Sequence, residues 1–233
     1  KKNKIEYLQG KGIIKDRNTI EVGIGGEILK TTNIIVATGA KVRELPSLPI
    51  DGKVVMTSRQ ALERRDAPQR VVIVGGGATG VEFAYLYRKY GAEVTIVEML
   101  PQLVPLEDEE IGQQLEKSFH KQGIKAMTSS QVKATEVQDN TAKVTVSNSS
   151  QTSEIECDRV LVAVGTQGNI SGVGLENVGV ETDRGYITIG DQMQTNIPGE
   201  YAIGDVTGKL LLAHVASAQG ITAVEGIADL DPP

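Results

Sequence analysis

The sequence predicts an α/β fold, with a parallel sheet and its helices in the middle of the chain, a β-meander after them, and short strands on either flank. Three observations carry this expectation. Residues 70–74 (Arg-Val-Val-Ile-Val) are an apolar, β-branched run that passes through glycines into a helix-forming segment. A second run, Val94-Thr95-Ile96-Val97, follows as the next strand of a βαβ unit. Residues 124–164 then alternate apolar and polar side chains, with polar turns at Asp139-Asn140 and Asn148-Ser149-Ser150.

The turn between the first strand and its helix is Gly75-Gly76-Gly77-Ala78-Thr79-Gly80, followed by Val81 and Glu82. Its Gly-x-Gly-x-x-Gly spacing has a separate physical use for each glycine. Gly75 permits the tight turn, Gly77 lets backbone approach a pyrophosphate, and Gly80 lets the helix pack close to the sheet. In a strand-turn-helix context this spacing reads as a Rossmann-like dinucleotide-binding unit. Glu98 ends the second strand, 18 residues after Gly80. A carboxylate there accepts hydrogen bonds from the adenosine ribose and repels a 2′-phosphate, and no Arg or Lys stands between Glu98 and Lys117. The expected cofactor is NAD(H), not NADP(H).

The remaining elements follow in order. Short strands are expected at residues 5–8, 13–15, 19–22 and 34–36, with a Gly25-Gly26 turn between the last two. Pro46, Pro49 and Asp51-Gly52 punctuate a connection that reads as a domain crossing. The first helix should run over residues 77–90 and stop at Gly91. A second helix is expected over residues 107–122, with Ile111, Leu115 and Phe119 on one face. Its acids Glu107, Asp108, Glu109 and Glu110 suit the positive end of the helix dipole and need no catalytic role. Residues 168–190 read as loop, 201–205 as a buried strand ending in an acid, and 211–228 as a last helix.

Composition narrows the function. The 233 residues are 39% hydrophobic with a net charge of −6, and mean hydropathy is −0.14. This describes a soluble globular chain. Scattered basic residues and net negative charge argue against nucleic acid and anionic membranes as partners. No apolar stretch reaches the length of a membrane span, and no secretory signal opens the sequence. The lone Cys157 excludes an internal disulfide and fits a reducing, cytoplasmic compartment, and with two histidines there is no ligand set for a metal. Lys1-Lys2-Asn3-Lys4 and Ala228-Asp229-Leu230-Asp231-Pro232-Pro233 both look cut, so a piece of a longer polypeptide is expected.

Three segments together resemble one family, the flavin-dependent pyridine nucleotide–disulfide oxidoreductases. They are Ile34-Ile35-Val36-Ala37-Thr38-Gly39, the glycine turn from Gly75 to Glu82, and Thr195-Asn196-Ile197-Pro198-Gly199-Glu200-Tyr201-Ala202-Ile203-Gly204-Asp205. Within the family, Arg43-Glu44-Leu45-Pro46, Gly174-Leu175-Glu176-Asn177-Val178-Gly179-Val180 and Leu211-Leu212-Ala213-His214-Val215-Ala216 are similar to the dihydrolipoamide dehydrogenase branch.

The resemblance implies roles. Thr38, Gly39, Gly204, Asp205, Leu211, Leu212, Ala213 and His214 would belong to an FAD site, with Asp205 on the ribityl chain. Glu82 would lie beside the nicotinamide carboxamide, Gly165 would face the nicotinamide, and Val132 would lie near the adenine. Residues 1–48 and 169–233 would be two parts of an FAD-binding domain, with residues 49–168 the NAD-binding domain between them. The implied parent oxidises dihydrolipoamide with NAD⁺ as a homodimer, with a 2-oxo acid dehydrogenase complex as a further implied partner. No catalytic residue of that reaction is expected in this chain, since the family's redox cysteine pair and proton-relay histidine fall outside the matching segments. Two rival readings stay open: another flavin disulfide or metal reductase or transhydrogenase of the superfamily, and a nucleotide-binding module without redox turnover.

Overall fold

In the computed structural model of the chain, residues 3–23 and 25–230 are described. Lys1, Lys2 and Asp231-Pro232-Pro233, part of the terminal segments read above, lie outside them. The chain forms two compact units, one from residues 42–165 and the other from residues 1–41 and 166–233.

The unit of residues 42–165 is built on a five-stranded sheet in the order Val55–Thr57, Arg159–Val162, Arg70–Val74, Glu93–Val97, Ile124–Met127. Every pairing in it is parallel. A parallel sheet must be covered on both faces, and the central strand shows how its sequence meets that demand. Val71 and Ile73 enter one core cluster, with Phe83, Ala84 and Tyr87 of helix Ala78–Lys89 and Phe119 of helix Glu109–Lys121. Val72 and Val74 enter another, with Val132, Val144, Val146 and Cys157. Those residues belong to an antiparallel meander of Gln131–Gln138, Thr141–Ser147 and Thr152–Cys157. Each fully buried Val or Ile contributes about 1.5–3 kcal/mol of transfer free energy before chain entropy is subtracted.

Helix Glu109–Lys121 departs from the expected face. Ile111 is 56% exposed, and Gly112, Leu115 and Phe119 turn inward instead. A Cβ at Gly112 would stand 2.8 Å from the Leu103 carbonyl, so the glycine admits segment 99–108 against the helix and sets its rotation. Two elements between residues 54 and 63 carry no expectation above: strand Val55–Thr57 and helix Ser58–Glu63. The segment before them places Leu48 in the core beside Val54 and Val55.

Burial raises the Cys157 thiol to about 11, and its sulfur faces the Ala142 carbonyl at 3.7 Å. A thiolate is the reactive form, so this cysteine packs and does not react. Native protein at pH 8 should take up no iodoacetamide at Cys157, while urea-unfolded protein should be alkylated fully. Mass spectrometry reads both.

Among the described residues, the second unit holds several small sheets. Gly12–Asp16, Thr19–Val22 and Glu27–Lys30 form an antiparallel meander, with Gly25 and Gly26 in the turn that joins its last two strands. Strand Glu27–Lys30, mostly exposed, was not expected. The expected strand over residues 5–8 does not form, and Ile5 and Tyr7 stand largely in solvent. Ile34–Val36 pairs in parallel with Glu200–Ala202, and Thr182–Asp183 forms a short hairpin with Tyr186–Ile187. The core gathers Ile14, Ile34, Val36, Val173, Leu175, Ile187, Ala202 and Val206. The strand expected over residues 201–205 ends at Ala202, because Gly204 at φ +72° turns the chain into a 3₁₀ helix, Gly204–Thr207. Helix Ala213–Ile227 follows. No helix among the described residues is long and apolar enough to cross a membrane.

Candidate functional site

Because the five strands are parallel, the loops at 75–80, 98–106 and 163–165 all leave the same end of the sheet. From Arg70–Val74 the chain proceeds to Glu93–Val97 on one side and later returns to Arg159–Val162 on the other. That reversal of direction opens a crevice at the carboxyl ends of the strands, where α/β sheets bind ligands.

The glycines divide by what surrounds them. At Gly75, φ is +108° and a Cβ would lie 2.2 Å from the Ala163 carbonyl oxygen. At Gly80 a Cβ would lie 1.9 Å from the Gly75 carbonyl oxygen, so the helix can approach the strand only without one. Gly76 is crowded by Leu103 and Glu98. Gly77 differs from all three. Its φ is −74°, nothing stands within 4 Å of its Cβ position, and its N–H has no partner among the described residues. No intramolecular contact requires glycine here, so the clearance is available to something outside the chain. Helix Ala78–Lys89 begins next to it with no side-chain cap, leaving first-turn amides and the positive dipole end turned to the crevice.

Glu98 is 8% exposed and already engaged. Its Oε2 accepts the Gly76 N–H at 2.5 Å and its Oε1 accepts the Leu100 N–H at 2.7 Å. A carboxylate offers about four lone-pair directions, so two remain for an outside donor. The same side chain therefore closes the glycine loop and can face a ligand. Glu98→Ala should destabilise this unit by about 2–3 kcal/mol, because two N–H groups lose their acceptor in a buried setting. Urea unfolding followed by circular dichroism measures it.

The other expected residues of this unit are placed differently from one another. Gly165, at φ +89° with open space at its Cβ position, accepts the Arg43 N–H at 3.0 Å and follows the strand beside Gly75. Val132 is buried in the meander-side core with Val97, so only its backbone could meet a ligand. Two residues before it, Ser130 donates its N–H to the Glu98 carbonyl at 2.9 Å, which keeps this segment beside Glu98. Glu82 is exposed, on the fifth residue of the helix, and its carboxylate has no hydrogen-bond or ion-pair partner among the described residues.

A second set of residues lies within the other unit. Ile203 donates its N–H to the Val36 carbonyl at 3.0 Å, so the loops after Ile34–Val36 and Glu200–Ala202 emerge side by side. The first carries Thr38 and Gly39, the latter at φ +70°. Asn169 clamps it: the Thr38 hydroxyl donates to the Asn169 carbonyl at 2.8 Å, and the Asn169 amide donates to the Thr38 carbonyl at 2.9 Å. The second carries Gly204 and Asp205. Gly204 donates its N–H to buried Gln219 Oε1 at 2.6 Å. The half-buried Asp205 carboxylate has no hydrogen-bond or ion-pair partner among the described residues. Leu211, Leu212, Ala213 and His214 are exposed where helix Ala213–Ile227 begins.

Several of these parts carry no expectation in the sequence reading. Asn169 lies in a stretch read as loop. Gln219 had a signal, a lone polar side chain at a buried position among small and apolar helix residues. Leu103 and Val104, described below, had none.

The comparisons with known proteins agree with this architecture. A family model described as "Pyridine nucleotide-disulphide oxidoreductase" matches residues 1–220. Dihydrolipoyl dehydrogenase from Mycobacterium leprae is 45% identical over 98% of this chain and 50% of its own length. The Chlorobaculum tepidum protein of the same name is 43% identical over 100% and 50%. Among solved structures, LpdA from Mycobacterium tuberculosis superposes with a TM-score of 0.84 at 31% identity, over 97% of this chain and 50% of that one. The Escherichia coli flavoprotein disulfide reductase RclA shares the fold, with a TM-score of 0.83 at 23% identity. The chain spans about half the length of these relatives.

Proposed function

Because the chain belongs to the pyridine nucleotide-disulphide oxidoreductase family, we propose that it carries the NAD(H)-binding portion, and part of the FAD-binding portion, of a dihydrolipoyl dehydrogenase. Residues 49–168 are the NAD domain in this reading, and residues 1–48 and 169–233 are parts of the FAD domain. The observation that carries it is Gly77, an unpartnered amide beside open space at an uncapped helix N-terminus.

The residues present fit both groups. For NAD(H), the amides from Gly77 to Gly80 receive the pyrophosphate, Glu98 accepts the ribose hydroxyls, and Val132 borders the adenine. Gly165 and Glu82 attend the nicotinamide end. For FAD, Thr38 and Gly39 bring backbone to the nucleotide, Asp205 offers its free carboxylate to a hydroxyl of the flavin chain, and Gly204 allows the close turn. The backbone from Leu211 to His214 starts a helix whose positive end favours negative charge on the flavin ring. Bound FAD would supply the two-electron chemistry that joins dithiol oxidation to NAD⁺ reduction. Buried, with a raised pKa, Cys157 takes no part. The parent in this reading is a cytoplasmic homodimer, with a 2-oxo acid dehydrogenase complex as its assembly.

NADH should bind in preference to NADPH, since a 2′-phosphate beside Glu98 costs on the order of 1 kcal/mol or more even with solvent screening. Fluorescence titration of both cofactors decides. Equal affinities or an NADPH preference would reject the role given to Glu98.

A further inference from the structure

We propose that Val104 is a positioning residue: by holding the Gly76 carbonyl it aims the Gly77 N–H into the crevice, at the pyrophosphate of a dinucleotide. This rests on the NAD(H) reading above.

Val104 has φ +45°, a conformation that β-branched side chains avoid. It also precedes Pro105, which pushes a residue toward extended backbone. The local sequence therefore argues twice against the shape it takes, and contacts from elsewhere impose it. Leu103 is fully buried, with its Cδ2 2.7 Å from the Cβ position of Gly76 and its carbonyl against Gly112. The Val104 carbonyl accepts the Glu107 N–H at 2.9 Å. The Val104 N–H is donated to the Gly76 carbonyl at 2.8 Å.

That last bond has a directional consequence. Within one planar trans peptide the carbonyl and the next N–H point to opposite sides. Holding the Gly76 oxygen toward Val104 turns the Gly77 N–H away from it, and there the N–H meets no hydrogen-bond partner among the described residues. The preceding peptide is fixed from the other direction, since the Gly76 N–H is donated to Glu98. Glu98 and Val104 together lock both peptides around Gly76, and the first amide left for a ligand is that of Gly77. Strain at a residue that other contacts over-determine is a mark of functional geometry.

The test removes one hydrogen-bond donor. Incorporating α-hydroxyisovaleric acid at position 104 replaces the Val104 N–H by an ester oxygen and keeps the side chain. NADH affinity should fall roughly five-fold, the effect of one hydrogen bond, while affinity for adenosine, which lacks the pyrophosphate, stays unchanged. Equal loss for both ligands, or no loss for NADH, overturns the positioning role and leaves the NAD(H) reading standing. Failure of the unmodified chain to bind NADH overturns the NAD(H) reading itself. A second measurement needs no variant. On adding inorganic pyrophosphate to the ¹⁵N-labelled chain, the Gly77 amide resonance should move and that of Gly76 should not. A Gly77 resonance that stays in place while NADH binds overturns the proposal.

Discussion

Gly75→Ala should destabilise the 42–165 unit by about 4 kcal/mol, while Gly77→Ala should leave it within about 1 kcal/mol of the parent and lower its NADH affinity instead. The two substitutions add the same methyl group two residues apart, and the surroundings decide the difference. At Gly75 the methyl meets the Ala163 carbonyl oxygen at 2.2 Å and its carbon at 2.6 Å, with φ held at +108°. Relief would require separating two adjacent strands of the central sheet, whose pairing includes the Ala163 N–H donated to the Val74 carbonyl at 2.8 Å. At Gly77 the backbone is already in a region open to alanine, and the methyl enters empty space. That space is what a pyrophosphate would occupy. Urea unfolding and NADH titration on both variants give the comparison. A Gly77→Ala protein with unchanged NADH affinity would remove the principal support for the site.

Glu200→Leu should stabilise the other unit by about 2 kcal/mol at pH 8. Glu200 is 0% exposed in strand Glu200–Ala202, and neither carboxylate oxygen has a hydrogen-bond partner among the described residues. It sits in register with Ile34, so its side chain shares a face with apolar Ile34, Val36 and Ala202. Burial pushes its pKa above the usual carboxylate range, and the charge of Arg17 opposes that only in part. The sign of the pH dependence follows. The folded chain holds the proton more tightly than the unfolded one, so stability is greatest below the unfolded pKa near 4.5. It is lost as pH rises from there through the folded value. The advantage of leucine should therefore be larger at pH 8 than at pH 4.5. Glu200→Gln keeps the size and polarity without the ionisation, and should lack this pH slope while gaining less stability. Urea midpoints at the two pH values test it. A Glu200→Leu protein less stable than the parent at pH 8 would mean that the carboxylate is paired in solution.

The contrast between residues 54–63 and 70–82 shows what kind of signal the sequence carries. Residues 70–82 combine a β-branched run, three spaced glycines and a helix start, each a local requirement, and strand, turn and helix appear where expected. Thr57 and Gln60 also carried a local signal, the Thr-x-x-Gln capping box, realised as the Gln60 side-chain oxygen accepting the Thr57 N–H at 2.8 Å. The helix it starts is only 6 residues long, too short for an apolar period to follow the box and mark a helix. Strand Glu27–Lys30 is a different case. Its exposed side chains leave no alternation to read, and only pairing with Thr19–Val22 makes it a strand. Residues 5–8 show the converse, an apolar alternation with no partner strand among the described residues.

The site divides along the same line. The sequence by itself determined the α/β class, the family, the glycine turn and the acid at the end of the second strand, because each follows from backbone freedom, side-chain period or charge within a few residues. Only the tertiary structure decided that Glu98 bonds Gly76 and Leu100, that Asn169 and Gln219 brace the loops at Thr38 and Gly204, and that Glu200 is buried on an apolar face. Val104 belongs to this second group most plainly. Its own preferences oppose its conformation, and contacts from Gly76, Leu103 and Glu107 outweigh them. Such placements depend on groups distant in the chain meeting at hydrogen-bond range, and no local pattern of residues encodes that meeting.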